Sequence, residues 1–481
     1  MASVVVCAAF AVAGIGVTRN DYAESMWSEA GWLAVVLVAG AGAWVAIGRW
    51  APGSNEILFG IVALLIGIGW VFVTRTDRWL ASEQAVAVVL GFAAFAGTLA
   101  AMRHRDRFLR KPGTFGFCAV VFAALGSFGA GTNVAAGAYE MPHQWLNLGP
   151  LSVQPYELAK IAVIVAACGL TTTAPGWLSP RIVPHRHAAG ASAAAIFAWI
   201  LLIVQRDLAS SVVIFAAAWL PLWLDDSDSN GGVLATAPRP TRTRALGGVL
   251  ATYSVGVVVL ATVYDPLSAQ VRYWLNPWIG VQGAAVVDAS FGISAGGISG
   301  VGPGLGAPQL LHEPHSDFIY AVIAEELGIL GGAALIAAYL LFVGIGAGIA
   351  QRARGTHRLL AGSAAFIVGL QALVAIAGVL RILPHTVGAL PFVAHGHVAL
   401  IGNCIAVALI LAVSDASGGP TGGPSAAPVG EQTQLRMTPP GTPDAPTGEL
   451  GVSSPRPGRR RRRSGGTSEQ GEPQQLPLGE P

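Results

Sequence analysis

The stretch LHEPHSDFIYAVIAEELGIL, residues 311–330, sets two histidines, three glutamates and one aspartate against an apolar run. Imidazoles and carboxylates this close together suit metal binding, acid–base catalysis or the capping of a helix end. Spacing excludes a zinc site of the H-E-x-x-H kind. His312 and His315 are three apart rather than four, and Pro314 between them disfavours a helix and makes residue 313 extended. A looser divalent-cation site, Mg or Mn on Glu313 and Asp317, stays open. Ser316 is a good N-cap and starts a short helix at Asp317, where the helix dipole favours the ionised carboxylate. An ionised carboxylate can accept a proton, so Asp317 is a candidate catalytic base; a plain cap on an interfacial helix is the alternative. Glu325, eight residues on, lies about 80° around the same helix and shares a broad polar face with Asp317.

Three further constellations carry polar groups into apolar surroundings. In QWLNLGPLSVQPYELAKIAVIV, 144–165, Pro155 suits a first helical turn, and Glu157 and Lys160 are three apart on one face. An ion pair entering an apolar helix is costly and marks either a functional site, with Lys160 holding a phosphate, or a buried structural lock. VRYWLNPWIG, 271–280, supplies Arg272 beside Trp274 and Trp278, either as a cation for a ligand or as an interfacial anchor. The glycine-rich SAGGISGVGPGLG, 294–306, is not a phosphate-binding Walker loop, because no Lys-Ser/Thr follows it. In LRILPHTVGALPFVAHGHVAL, 380–400, prolines and glycines break an apolar pattern, as backbone does where it is buried or lines a cavity within a membrane protein. His385, His395 and His397 there either bind and titrate or are hydrogen-bonded structural residues.

The elements that must position these groups are membrane helices. Of 481 residues 53% are hydrophobic and 11% charged, with mean hydropathy +0.59, whereas soluble domains carry about 25% charged residues. Apolar runs recur rather than alternating as in a β-barrel. They predict an all-α polytopic membrane protein of about twelve transmembrane helices, near 3–17, 31–48, 56–73, 84–101, 114–131, 157–171, 189–205, 210–224, 245–263, 328–349, 358–379 and 398–413. Arginines crowd alternate loops, among them Arg103, Arg105, Arg107, Arg181, Arg239, Arg242, Arg352 and Arg354, which puts both termini in the cytoplasm by the positive-inside rule. Two long loops, about 132–156 and 264–327, then fall outside. Residues 414–481, rich in Pro, Gly, Ser and Thr, read as a disordered cytoplasmic tail whose Arg459–Arg463 run is either a contact with anionic membrane lipid or a solvated topogenic charge cluster. The four cysteines sit in apolar runs as small packing residues.

Together these segments resemble the SEDS family (shape, elongation, division and sporulation) of RodA, FtsW and SpoVE proteins. The resemblance rests on HEPHSDFIYAVIAEELG, QWLNLGPLSVQPYELAK, VRYWLNPW and AGGISGVGPGLG, in the family's order and spacing over roughly 56–413. It implies two extra N-terminal helices in 1–55, similar to the twelve-span RodA-like branch of actinobacteria, a membrane core over 56–413, and the tail. It implies a peptidoglycan glycosyltransferase that polymerises lipid II at the outer face of the cell membrane, beside a class B penicillin-binding protein. The family's essential aspartate falls on Asp317. As substrate-binding residues the resemblance marks Lys160, Glu157, Arg272, Trp145, Gln154, His315 and Glu325, with Arg206 and Arg381 as further cations. The sequence departs from the family at PFVAHGHVALIGN, usually PFVSYGGSSLLAN, at RDLASS (206–211), usually DLGT, and at Gln144 and Tyr156. No nucleic-acid partner is implied. A lipid-linked precursor transporter, or a non-catalytic scaffold for the penicillin-binding protein, are the rival readings.

Overall fold

The computed structural model describes residues 23–103, 112–128, 146–148, 151–172, 186–225, 239–386 and 388–418. Among them are thirteen helices: α1 (Ala23–Trp50), α2 (Glu56–Thr76), α3 (Leu80–Met102), α4 (Pro112–Phe128), α5 (Tyr156–Thr172), α6 (Arg186–Gln205), α7 (Leu208–Leu224), α8 (Arg239–Val263), α9 (Asp265–Leu275), α10 (Gly280–Gly296), α11 (Ile319–Arg352), α12 (Gly355–Val379) and α13 (His397–Ala416). A short antiparallel hairpin, β1 (Leu146–Leu148) with β2 (Leu151–Val153), pairs Leu146 with Val153. Eight helices are long and apolar enough to cross a membrane, and α7 is a shorter apolar one. Eleven of the twelve expected spans coincide with a described helix; the first, 3–17, lies outside the described residues, as do most of the 132–156 loop and the tail beyond 418.

The chain forms helices because its apolar runs can satisfy their backbone internally, the condition for crossing lipid. Asn55 caps α2 by accepting from the Ile57 amide at 3.0 Å, and Asp207 caps α7 by accepting from the Ala209 and Ser210 amides. α13 lies deepest, packed on α3, α5, α11 and α12. Small residues bring helices close: a Cβ on Gly346 of α11 would sit 2.4 Å from that of Ala365 on α12. α8, by contrast, exposes Val255, Val258, Val259 and Val263 along its length.

Within 264–327 the chain folds α9, α10 and a 3₁₀ turn at Pro308–Leu310, and 319–327 already belong to α11. The expected start of α11 is corrected: it does not begin at a Ser316 cap, since its N-cap is Phe318 and its first residue Ile319. Asp317 lies in the turn before it. The chain turns there because the Glu313 carbonyl accepts from the Ser316 and Phe318 amides, at 3.2 and 3.4 Å. That turn gives Glu313 a φ of +45°, left-handed rather than the extended backbone expected before Pro314.

α11 is broken at Gly328, with φ +71° and ψ −173°. The four backbone groups that the break frees are exchanged with the glycine-rich loop. Ile329 and Leu330 donate to the Gly297 and Ile298 carbonyls, at 2.9 and 3.3 Å. The Glu325 and Glu326 carbonyls, which those amides would have used, accept instead from Val301 and Gly302, at 3.0 and 3.1 Å. The glycines permit the approach: a Cβ on Gly300 would lie 2.1 Å from the Glu326 carbonyl oxygen.

Candidate active site

Asp317 sits on an arch, residues 308–318, strung between the glycine-rich loop and α11. Its carboxylate accepts from the Gly388 backbone amide, and Glu313 and Asp207 bring further negative charge near it. Burial first, then those two neighbours, push its carboxyl up to about 7, against the lowering effect of the Gly388 amide. Gly388 belongs to the broken segment 380–396, which meets the arch again where the His395 amide donates to the His315 carbonyl at 2.8 Å. α11 supports the same segment from below, through a hydrogen bond from the Tyr339 hydroxyl to the Pro391 carbonyl.

The non-glycine residues with positive φ among those described are Arg206, Glu313, Arg381 and Phe392. All four lie in segments around Asp317. Such backbone costs of order 1–3 kcal/mol each and persists where surrounding structure over-determines it, commonly at functional sites.

Glu157 and Lys160 form the expected ion pair, and both are fully buried. The Lys160 ammonium also donates to Gln371 Oε1 at 2.5 Å and Asn403 Oδ1 at 2.9 Å, while Gln371 Nε2 donates to Glu157 Oε1 at 3.0 Å. All three ammonium donors are therefore engaged within α5, α12 and α13. Gln371 also donates to the Ala389 carbonyl at 3.3 Å, next to the Gly388 that binds Asp317. On the other side the Tyr156 hydroxyl bonds both Glu157 and Ser210, and Ser210 bonds Asp207. A buried polar chain thus runs from Asn403 and Lys160 through Glu157, Tyr156 and Ser210 to Asp207, beside Asp317. Sequence reading missed Asp207, Gln371 and Asn403. Only the apolar setting of these polar residues signalled them, since Lys160 and Asn403 are 243 positions apart.

Segments that carry arginines meet at α9. Its Gln270 donates to the Arg206 carbonyl at 3.2 Å, and its Trp274 indole donates to the Arg381 carbonyl at 3.0 Å. Arg381 returns a bond to the Trp274 carbonyl at 3.4 Å. Arg272, between those two positions, is exposed and bonds Ser268 at 3.1 Å. A short helix thus carries Arg272, holds the Arg381 guanidinium, and meets the backbone at Arg206.

The histidines form a contiguous group. His315 lies 3.2 Å from Glu313, the His315 and His395 rings are 5.8 Å apart, and those of His395 and His397 5.2 Å. His395 Nδ1 bonds Gln84 Oε1 at 3.0 Å, and its Nε2 is 3.7 Å from Glu83. Burial, followed by His397 and His315, holds His395 down at about 3. Burial and then His312 hold His385 at about 4. Both rings are neutral at pH 7 and supply no cation. Among the described residues no three His, Cys, Asp or Glu side chains converge as a metal-ligand set. Asp317 and Glu313 stand as two carboxylates without a protein-made cage.

Of the remaining expected site residues, Gln154 is buried at the start of α5, where its carbonyl accepts from the Glu157 amide at 3.2 Å. Glu325 does not share a helix face with Asp317; it is buried and accepts from the Ala307 amide at 3.0 Å. Trp145 lies outside the described residues.

Comparisons with known proteins agree on one group. The FtsW, RodA and SpoVE family, described as cell cycle protein, matches residues 55–418. Peptidoglycan glycosyltransferase RodA of Mycobacterium leprae is 26% identical over 439 residues, covering 86% of this chain and 88% of its own. Peptidoglycan glycosyltransferase MrdB of Escherichia coli K12 is 31% identical over 293 residues, covering 59% and 72%. Among solved structures, a chain from a study of polymerisation and crosslinking by a peptidoglycan synthase complex superposes with TM-score 0.58 at 22% identity, covering 76% of this chain and 98% of that one. RodA of Thermus thermophilus gives 0.50 at 21%, covering 76% and 97%. At these identities the superpositions speak to the fold.

Proposed function

This chain belongs to the FtsW, RodA and SpoVE family of multi-pass membrane proteins, and from that membership we infer that it is a peptidoglycan glycosyltransferase. Its substrate is lipid II, polymerised at the outer face of the cytoplasmic membrane, with both termini inside and a class B penicillin-binding protein as its crosslinking partner. The observation that carries the chemistry is the setting of Asp317: a carboxylate on a strained arch, pinned by the Gly388 amide, with a pKa lifted into the range useful for a base.

Asp317 takes the proton of the acceptor sugar's 4-hydroxyl. The oxygen attacks the donor's anomeric carbon, and the bond from that carbon to the phosphate oxygen breaks. Its electron pair departs with undecaprenyl pyrophosphate, and the anomeric configuration inverts. Such base assistance is typically worth about 10²–10⁴-fold. The leaving pyrophosphate develops charge that cations must meet. Arg272 and Arg381 at α9, with Arg206 in the segment bonded to it, suit this better than Lys160, whose donors are engaged, or the neutral His385 and His395. Lys160 and Glu157 instead hold the floor of the site in place. Gln154, at the head of the same helix, and His315, on the arch, line it.

The test is purified protein, with its transpeptidase partner, given labelled lipid II in detergent. Glycan chains from wild type and none from Asp317→Ala support the polymerase. Scrambling of lipid II across vesicles without chains would favour a transporter, and partner binding without either activity a scaffold.

A further inference from the structure

The glycine-rich loop is gripped at one residue from both sides. Gly304 donates its amide to Glu326 Oε2 at 2.7 Å, and its carbonyl accepts from Arg75 Nη2 at 2.5 Å. Arg75 and Glu326 also face each other, with Nε 3.5 Å from Oε1. An ion pair between the last turn of α2 and the first turns of α11 thus closes on a single peptide residue. Three residues on, Glu325 accepts from the Ala307 amide at 3.0 Å. The arch begins at Pro308, so both its ends are fixed by the same two turns of α11: Glu325 and Glu326 hold its entry, and the helix start at Ile319 holds its exit. Asp317 lies two residues before that start.

The clamp is costly to build. Glu326 is nearly fully buried, with 3% of its side chain exposed, while Arg75 keeps 27%. A buried carboxylate needs its partners, and losing either leaves it uncompensated. Loop and helix are already joined by four backbone hydrogen bonds, so holding the fold together does not require this ion pair. What it adds is the placement of residues 304–307, immediately upstream of the arch.

We propose that Arg75 and Glu326 are positioning residues for the glycosyl transfer, clamping Gly304 so that the arch presents Asp317 at its working position. This rests on the polymerase reading. It gives the EEL segment a role distinct from substrate binding and makes the outer end of α2, remote in sequence, part of the catalytic apparatus. A misplacement of about 1 Å at a reacting group can cost about 10²-fold in rate. Groups acting only through position lower turnover more than they raise KM.

The experiment compares wild type, Arg75→Lys, Arg75→Ala, Glu326→Gln and the Arg75→Ala/Glu326→Gln double variant in the complex with the transpeptidase partner. Lipid II polymerisation gives kcat and KM, and hydrogen exchange reports the 300–307 amides. Expected are a fall in kcat of about 10²-fold in the alanine and glutamine variants, KM within about threefold, and faster exchange confined to 300–307. The double variant should be no worse than the worse single one, and Arg75→Lys should recover part of the rate. Wild type that polymerises while the variants match its kcat, with the loop loosened, overturns the clamp alone. So does a double variant whose losses multiply, or a kcat that falls only alongside faster exchange throughout the helices. Wild type that makes no glycan overturns the polymerase reading and the clamp's catalytic role with it.

Discussion

The His395 amide donates to the His315 carbonyl at 2.8 Å, joining the broken segment before α13 to the arch that carries Asp317. The tie is backbone to backbone, so it does not depend on which side chain stands at position 395. His395→Ala should therefore keep most of the polymerase activity and lose about 1 kcal/mol of stability with the Gln84 bond. His395→Pro removes the donor, and its activity should fall about 10²-fold. Initial rates and thermal unfolding of the two variants side by side check this; equal activities would show that the tie is idle.

Asp317 must be ionised to act as a base, and its carboxyl titrates at about 7. Polymerisation by wild type should therefore rise about tenfold per pH unit below 7 and level off above it. A flat profile between pH 5.5 and 8 would remove Asp317 from that role. The same shift sets a stability effect. The folded pKa lies above the ordinary 3.8, so the folded state holds this proton more tightly. The stabilisation is complete below about 4 and lost as pH rises through about 7. Asp317→Asn should consequently raise the melting temperature at pH 8, leave it unchanged at pH 4, and abolish polymerisation.

Removing the Lys160 side chain leaves the Glu157 carboxylate buried with its counter-charge gone. Lys160→Ala should cost about 3–5 kcal/mol, while the paired change Glu157→Gln/Lys160→Met should cost much less. Thermal unfolding in detergent measures both; the reverse order would mean that the pair is not a structural lock.

Gly300 has φ +82° and faces the Glu326 carbonyl. Gly300→Ala should loosen the pairing of the loop with α11 at a cost of about 1–3 kcal/mol. Faster exchange at the Val301 and Gly302 amides would report it, and unchanged protection there would contradict the pairing.

Much of the fold was legible because span length and apolar runs are set locally. The Glu157–Lys160 pair was legible for the same reason, being a matter of helical spacing. Their partners Gln371 and Asn403 were not, since nothing local says which distant helix faces α5. The start of α11 was misread because Ser316 satisfies the local rule for a cap. Tertiary contacts win there: the Glu313 carbonyl takes the Ser316 and Phe318 amides and keeps Asp317 out of the helix. Glu325 was placed on a shared face with Asp317 by the same error. The helices α9 and α10 were read as loop because glycine and polar residues dilute their apolar pattern, and what holds them are contacts such as that of Trp274 with Arg381.

The interruption of α11 at Gly328 has a mechanical side. Hydrogen bonds that would transmit twist along a continuous rod cross instead to the loop. That loop holds the nine residues above Gly328 through the Val301 and Gly302 amides and the membrane-spanning shaft below through the Gly297 and Ile298 carbonyls, so it splints the break, and the two lengths of α11 bear on each other through the loop that leads to the arch.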